Sequence, residues 1–138
     1  MTRAVLDTNI FISALISPNA PPAAIVAAAI AGQFEILIHQ RLLDEIREAT
    51  RYPKVAQRLS RPQAGHLVNA LSAAATLITK LPEVRRSPDE RDDFLLALSE
   101  AGRADYLVTG DKADLLVLKT HRRTRIITAR LFHKTLRL

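Results

Sequence analysis

Carboxylates in four separate segments stand where a packed chain has little need of them. Asp7 follows directly on the apolar run Ala4-Val5-Leu6, and Asp111 follows Tyr106-Leu107-Val108-Thr109-Gly110. On a helix turning about 100° per residue, Glu45 falls at the edge of the apolar arc of Leu42, Leu43, Ile46 and Ala49, whereas Asp44 and Glu48 project away from it. Asp92 and Asp93 flank the stripe of Phe94, Leu98 and Ala101. Taken singly, each has a structural explanation. Asp7 or Asn9 could cap a following helix, and Asp111 with Asp114 has the spacing of a cap. Glu45 could meet a neighbouring Arg, and acids in an early helical turn suit the helix dipole. Gathered together, however, carboxylates repel one another and are costly without a cation. Acids drawn from four separated segments are the oxygen donors a hard divalent cation needs. Magnesium and manganese prefer such donors and keep waters for substrate phosphates. An acidic metal pocket in a basic chain suits a phosphodiester. The metal would activate water and stabilise the leaving oxygen, while Lys and Arg hold the flanking phosphates.

The chain is basic. Twenty Lys and Arg against fourteen Asp and Glu give a net charge of +6, and the pI is near 10.3. The excess is uneven, since residues 115–138 hold Lys119, Arg122, Arg123, Arg125, Arg130, Lys134 and Arg137 and no acid. Such a face attracts polyanions or simply stays solvated. Arg122, Arg123 and Arg125 are the nucleic-acid contacts expected there. With two Tyr, four Phe and no Trp, base stacking would be sparse and phosphate contacts should dominate. The absence of cysteine removes thiol chemistry, Cys-based zinc sites and disulfides. His39, His66, His121 and His133 have no metal-ligand spacing and read as surface or packing residues. No Ser-His-Asp set, P-loop or GxGxxG is present, and Asn9 stands where a haloacid-dehalogenase-type phosphatase has its second Asp.

The elements that must carry these acids alternate between strand and helix. Arg3 to Leu6 reads as a short strand buried on both faces, followed by a helix over Ile10–Ile16. Pro21-Pro22 opens a helix that Gly32 ends. Phe34 to Ile38 is a second strand, and Gln40 to Arg51 an amphipathic helix stopped by Tyr52-Pro53. Lys54–Leu59 and Pro62–Ala75 read as helices, and Thr76–Leu81 as a third strand. Ser87-Pro88-Asp89-Glu90 has the form of a capping box with Ser87 as the cap, opening a helix to Ala101. Tyr106–Thr109 and Arg125–Thr128 are the fourth and fifth strands, with a helix after the last. One domain over residues 1–138 follows, an α/β fold with a mainly parallel sheet of about five strands and helices on both faces. Its ligands belong beyond the carboxyl ends of the strands, where Asp7 and Asp111 sit. The longest apolar run, Ala23 to Ala31, spans nine residues, too few to cross a membrane. With an acid at Asp7 interrupting any signal-peptide core, a soluble cytoplasmic protein is expected.

The ordered set Ala4-Val5-Leu6-Asp7-Thr8-Asn9, Leu42-Leu43-Asp44-Glu45-Ile46, Asp92-Asp93-Phe94-Leu95-Leu96-Ala97-Leu98 and Ala104-Asp105-Tyr106-Leu107-Val108-Thr109-Gly110-Asp111 resembles the PIN domain over nearly the whole chain. It is most similar to bacterial PIN proteins assigned as toxins of toxin–antitoxin pairs, the VapC-like ribonucleases. The resemblance implies a three-layer PIN-like fold and an endoribonuclease dependent on Mg2+ or Mn2+. It implies Asp7, Glu45, Asp93 and Asp111 as catalytic and metal-binding acids. Spacing back from Leu107-Val108-Thr109-Gly110-Asp111 favours Asp93, with Asp92 second. Asn9, Thr109 and Asp114 would support the site. RNA and a small cognate antitoxin are the implied partners. A homodimer is also expected, through alanine-rich stretches such as Ala23–Ala31 and 70–75, which core packing would explain equally well. Two other readings stand beside this one: a DNA-directed or structure-specific nuclease with the same acids, and a catalytically inert PIN-like module that binds RNA or protein.

Overall fold

A computed structural model of the chain describes residues 1–59, 61–110 and 112–138, so the candidate acid Asp111 lies outside the described residues. The chain runs β1 (Arg3–Leu6), α1 (Thr8–Ile16), α2 (Pro21–Ile30), β2 (Glu35–Ile38), α3 (Gln40–Ala49), α4 (Pro53–Ala56), α5 (Arg61–Ala74), β3 (Thr76–Leu77), α6 (Glu90–Ala101), β4 (Tyr106–Thr109), α7 (Ala113–Leu116), β5 (Thr120–His121), β6 (Thr124–Thr128) and α8 (Ala129–Thr135). The strands form one sheet in the order β3-β2-β1-β4-β6-β5. Every pairing is parallel except β5 with β6. Helices cover both faces in three layers, as expected.

Apolar continuity explains the centre of the sheet. Ala4, Val5 and Leu6 of β1 are fully buried, as are Leu107 and Val108 of β4, because strands covered on both sides meet no water. Helix α6 lies against β1, β2, β4 and β5, whereas α1, α2 and α8 pack together, with α1 and α8 against β4. Phe132 of α8 is wedged edge-on between Phe34 and Tyr106, with ring centroids 5.1 and 5.6 Å apart. The alanine-rich helix α2 buries Ile25, Val26, Ala28 and Ala29, so much of that stretch serves the monomer core. Gly102, at the end of α6, lies so close to β2 that a Cβ there would stand 2.6 Å from Leu37 Cδ1. No single helix among the described residues is long and apolar enough to cross a membrane.

Four local expectations change. The sheet has six strands, because Thr120–His121 pairs with Thr124–Arg125 in a hairpin whose turn holds Arg122 at φ 54°. The third strand shortens to Thr76–Leu77, and the helix expected over Lys54–Leu59 is one turn, Pro53–Ala56. The cap of α6 is Asp89, whose carboxylate accepts from Arg91 N at 2.9 Å. Ser87 is not the cap, because α6 begins only at Glu90; the Ser87 hydroxyl accepts from Asp89 N in the turn before the helix and donates to Asp92.

The strand order also fixes where a ligand can sit. From β1 the chain builds outward to β2 and β3 on one side and to β4 and β6 on the other. The loops leaving β1 and β4 therefore diverge, and the crevice between their carboxyl ends is the switch point at which open α/β sheets bind ligands.

Candidate active site

That crevice opens as a cleft of about 420 Å3, lined by residues that include Asp7, Thr8, Asn9, Arg41, Glu45, Tyr52, Arg91 and Lys112. Asp7 forms its floor. The Asp7 N–H donates to Val108 O at 2.9 Å, which ties the end of β1 to β4. Asp7 Oδ1 accepts from Asn9 N at 3.2 Å and caps α1, while Oδ2 accepts from Thr109 Oγ1 at 3.0 Å. Thr109 is fully buried and Asp7 nearly so. Burial raises the Asp7 carboxyl above its ordinary range, and the neighbouring Asp92 charge adds to the rise. The Asn9 N–H, the Thr109 hydroxyl and the Lys112 ammonium oppose this without cancelling it. A capping carboxylate gains nothing from being desolvated beside a second one. A displaced acid in a cleft is instead a mark of a working site.

Asp92 comes from α6 and is fully buried. Its Oδ2 accepts from Ser87 Oγ at 2.9 Å. Its Oδ1 meets the Lys112 ammonium as a charge contact, with no aligned hydrogen bond among the described residues. Lys112 Nζ also donates to Asp89 Oδ2 at 2.9 Å. Partial burial pulls the Lys112 amine down, but Asp92 and Asp89 outweigh it and hold the amine above 10.5. A lysine ammonium thus occupies the place among these carboxylates that a free cation would want.

Asp93, the acid favoured by spacing, is turned elsewhere. Its Oδ1 accepts from Arg86 N and Ser87 N, both at 2.9 Å. It lines a separate groove with Leu81, Pro82 and Ala97. Adjacent residues on a helix point about 100° apart, and α6 directs Asp92 inward, behind the cleft toward Lys112 and Asp7, and Asp93 to the preceding loop. The fold thus brings Asp92, rather than the Asp93 favoured by spacing, toward Asp7.

Glu45 reaches the cleft from α3, but it is held. Thr8 Oγ1 donates to Glu45 Oε2 and Arg41 Nε to Glu45 Oε1, each at 3.0 Å. The simple alternative for this acid, a salt bridge to a neighbouring Arg, is present. Arg41 also grips Glu90 through both terminal nitrogens at 2.5 and 2.8 Å and lies 4.4 Å over the Phe94 ring. These contacts bridge α3 to α6. Arg41 follows from i,i+4 spacing to Glu45 on one helix, whereas Lys112, Thr8, Ser87, Tyr52 and Arg91 carry no such signal. Asn9 lines the cleft beside Asp7. Asp114 is exposed in the first turn of α7 and does not line the cleft.

Of the three C-terminal arginines, Arg122 and Arg123 form the turn between β5 and β6 and Arg125 lies on β6, and none lines the cleft. Arg122 Nε reaches Glu100 at 3.3 Å and Arg123 Nη2 reaches Asp105 at 2.7 Å, so these charges are partly spent on acids; Arg125 is exposed. Two histidines have packing roles. His39 caps α3, with Nδ1 accepting from Arg41 N at 3.0 Å. His121 is buried between Glu100 and Arg86, at 2.8 and 2.9 Å.

Residues 3–113 match the family described as PIN domain. An uncharacterized protein of Methanocaldococcus jannaschii is 29% identical over 118 residues, which cover 85% of this chain and 75% of that protein.

Proposed function

The chain belongs to the PIN domain family, whose fold is of nuclease type, and from that premise we propose a divalent-metal-dependent endoribonuclease that is the toxin of a toxin–antitoxin pair. One observation carries the reading. Two buried carboxylates, Asp7 and Asp92, lie together at the switch point of the sheet, where the Lys112 ammonium serves as their cation. The donor set fits Mg2+ or Mn2+: hard oxygens only, with Asp92 Oδ1 lacking an aligned donor. Among the described residues no three acid or imidazole groups gather closely enough to enclose an ion. Mg2+ needs no such cage, being held by one or two carboxylates with waters and substrate phosphates. Asp7 and Asp92 would hold it. When bound, the ion supplies a water of lowered pKa and a charge to stabilise the leaving oxygen.

The chain's own residues supply the remaining functions. Thr109 and the Asn9 N–H fix the orientation of Asp7, leaving its carboxylate at the floor of the cleft. Arg91 lines the wall with positive charge for a phosphate beside the scissile bond. Glu45, braced by Thr8 and Arg41, holds Arg41 in place and keeps a carboxylate at the opposite wall.

A second reading, an inert binding module, has its own support. Asp7 already caps a helix, and Glu45 and Asp92 already have internal partners. Panels of RNA and DNA incubated with Mg2+, Mn2+ or chelator separate the two. Metal-dependent RNA cleavage supports the proposal, cleavage of DNA alone redirects it, and binding without cleavage in any metal establishes the inert module. The toxin role is cytoplasmic. It is tested by whether expression arrests growth and whether the small product of a neighbouring reading frame relieves the arrest. Self-association is a further expectation, read by light scattering as a mass that rises with concentration.

A further inference from the structure

The chain has four Phe and two Tyr, and five of these six rings are packed. Phe11, Phe34, Phe94 and Phe132 are buried, and Tyr106 is half-buried against Phe132. The sixth, Tyr52, is 55% exposed, and it stands on the wall of the cleft that has Asp7 at its floor. Among the described residues, no hydrogen bond or ring contact engages its side chain. Its main chain, by contrast, is fixed. Tyr52 N donates to Ala49 O at 3.2 Å, and Tyr52 O accepts from Val55 N and Ala56 N at 2.9 and 2.8 Å. Pro53 at the first position of α4 locks the following turn. A large ring is thus held on a rigid support with no partner of its own.

Its immediate neighbours in the chain are cationic: Arg51 and Lys54 flank Tyr52, both exposed. Arg91 adds a charge on the cleft wall, where Glu48 also stands, while Arg41 and Lys112 are paired with acids. Residues 49–82 contain Arg51, Lys54, Arg58, Arg61 and Lys80 and no acid. Positive charge tracking a backbone, with an aromatic face for the bases, is how single strands are bound without sequence readout. A base inside a duplex is already stacked on its neighbours and cannot offer its face to a side chain.

We propose that Tyr52 is a base-stacking subsite at the mouth of the cleft, with Arg51 and Lys54 as its phosphate contacts, and that the substrate enters as a single strand of RNA. The subsite rests on the reading of this cleft as a nucleic-acid site. It adds one stacking contact to the phosphate contacts expected to dominate.

The absence of Trp makes the test direct, because in a Tyr106→Phe background Tyr52 is the only tyrosine left to emit. The full-length protein is titrated with a short single-stranded RNA, with Ca2+ in place of Mg2+ to keep it uncut. Tyr52 emission should be quenched as the strand binds, and a duplex of the same sequence should leave it unquenched. Tyr52→Ala should weaken single-strand binding about tenfold, within the range for one base–aromatic stack, and Tyr52→Phe should bind as wild type. An abasic strand should bind wild type and Tyr52→Ala alike. Because the ring is exposed, the alanine variant should melt with wild type, so loss of fold does not confuse the result. Equal binding of the single strand by wild type and Tyr52→Ala would overturn the subsite, and would point to a protein partner for the exposed ring. Cleavage of RNA with no dependence on Tyr52 would leave the nuclease reading standing. Tyr52-dependent binding without cleavage would do the reverse, and a wild type that neither binds nor cuts would remove both.

Discussion

Replacing Lys112 with Met keeps most of the apolar stem and removes the ammonium that faces Asp92 and Asp89. Asp92 is fully buried, and the variant leaves its carboxylate with the Ser87 hydroxyl alone. Removing one partner of a fully buried pair costs about 3 to 5 kcal/mol. The Lys112 side chain is 30% exposed, so water relieves part of that loss, and about 2 kcal/mol is the reasonable figure. For a chain of this size that corresponds to a fall in melting temperature of about 7 °C. The amine is held above 10.5 in the folded protein. Its contribution is therefore complete below the unfolded-state pKa and is lost as pH rises through the higher folded value. The gap between wild type and variant should accordingly close in strong alkali. Metal sharpens the prediction. If the ammonium and a divalent cation compete for the same carboxylates, Mg2+ should raise the melting temperature of Lys112→Met more than that of wild type, since a ligand of the native state stabilises it by mass action. Melts of both proteins, with and without Mg2+, carry the whole test. Equal melting temperatures, or a smaller metal response in the variant, would show that Lys112 is not the resident cation of the site.

Three further outcomes follow from the same geometry. Asp7→Asn should abolish cleavage yet leave the metal-free protein at least as stable at neutral pH. The Asp7 carboxyl is raised by burial, so its ionised form opposes folding above the ordinary carboxylate pKa and that penalty fades as pH falls through the raised value. The Asn amide oxygen keeps the cap on Asn9 N, and a destabilised variant in thermal melts would mean that Asp7 is chiefly a structural cap. Asp93→Ala should cost about 1 kcal/mol, because the N–H groups of Arg86 and Ser87 lose their acceptor, which a urea midpoint will register. Gly102→Ala should cost about 1 to 3 kcal/mol by overpacking against buried Leu37; an unchanged melting temperature would show that β2 and α6 can part without strain.

Much of the fold was legible in residues 3–6, 35–38 and 106–109, where continuous apolar runs of strand length leave few alternatives to a buried parallel sheet. Pro21-Pro22 and Gly32 likewise mark the ends of α2, and Gly32 takes φ 77° as such a stop requires. The edge strand β5 was not legible. Thr120-His121 has no apolar alternation, and its pairing depends on a turn that places Arg122 at positive φ. The site was legible as a set of acids but not as an arrangement. Asp92 and Asp93 are neighbours on one helix, and spacing cannot say which of them α6 turns inward. That choice is settled by contacts outside the helix: Ser87 and the distant Lys112 for Asp92, and the main chain of Arg86 and Ser87 for Asp93. Lys112 itself looks like any loop lysine until β4 and α6 bring it to Asp92. The C-terminal arginines stand out by charge density in sequence, and the fold sets them on a hairpin apart from the cleft, with Arg122 and Arg123 partnered by Glu100 and Asp105.

The most direct measurement compares RNA cleavage by wild type, Asp92→Asn and Asp93→Asn in Mg2+ and again in excess chelator. A buried Asp7–Asp92 pair that works through a divalent cation requires loss of cleavage in Asp92→Asn, retention in Asp93→Asn and no cleavage by any protein once the metal is removed. Full cleavage in chelator, or an active Asp92→Asn beside an inactive Asp93→Asn, would contradict it.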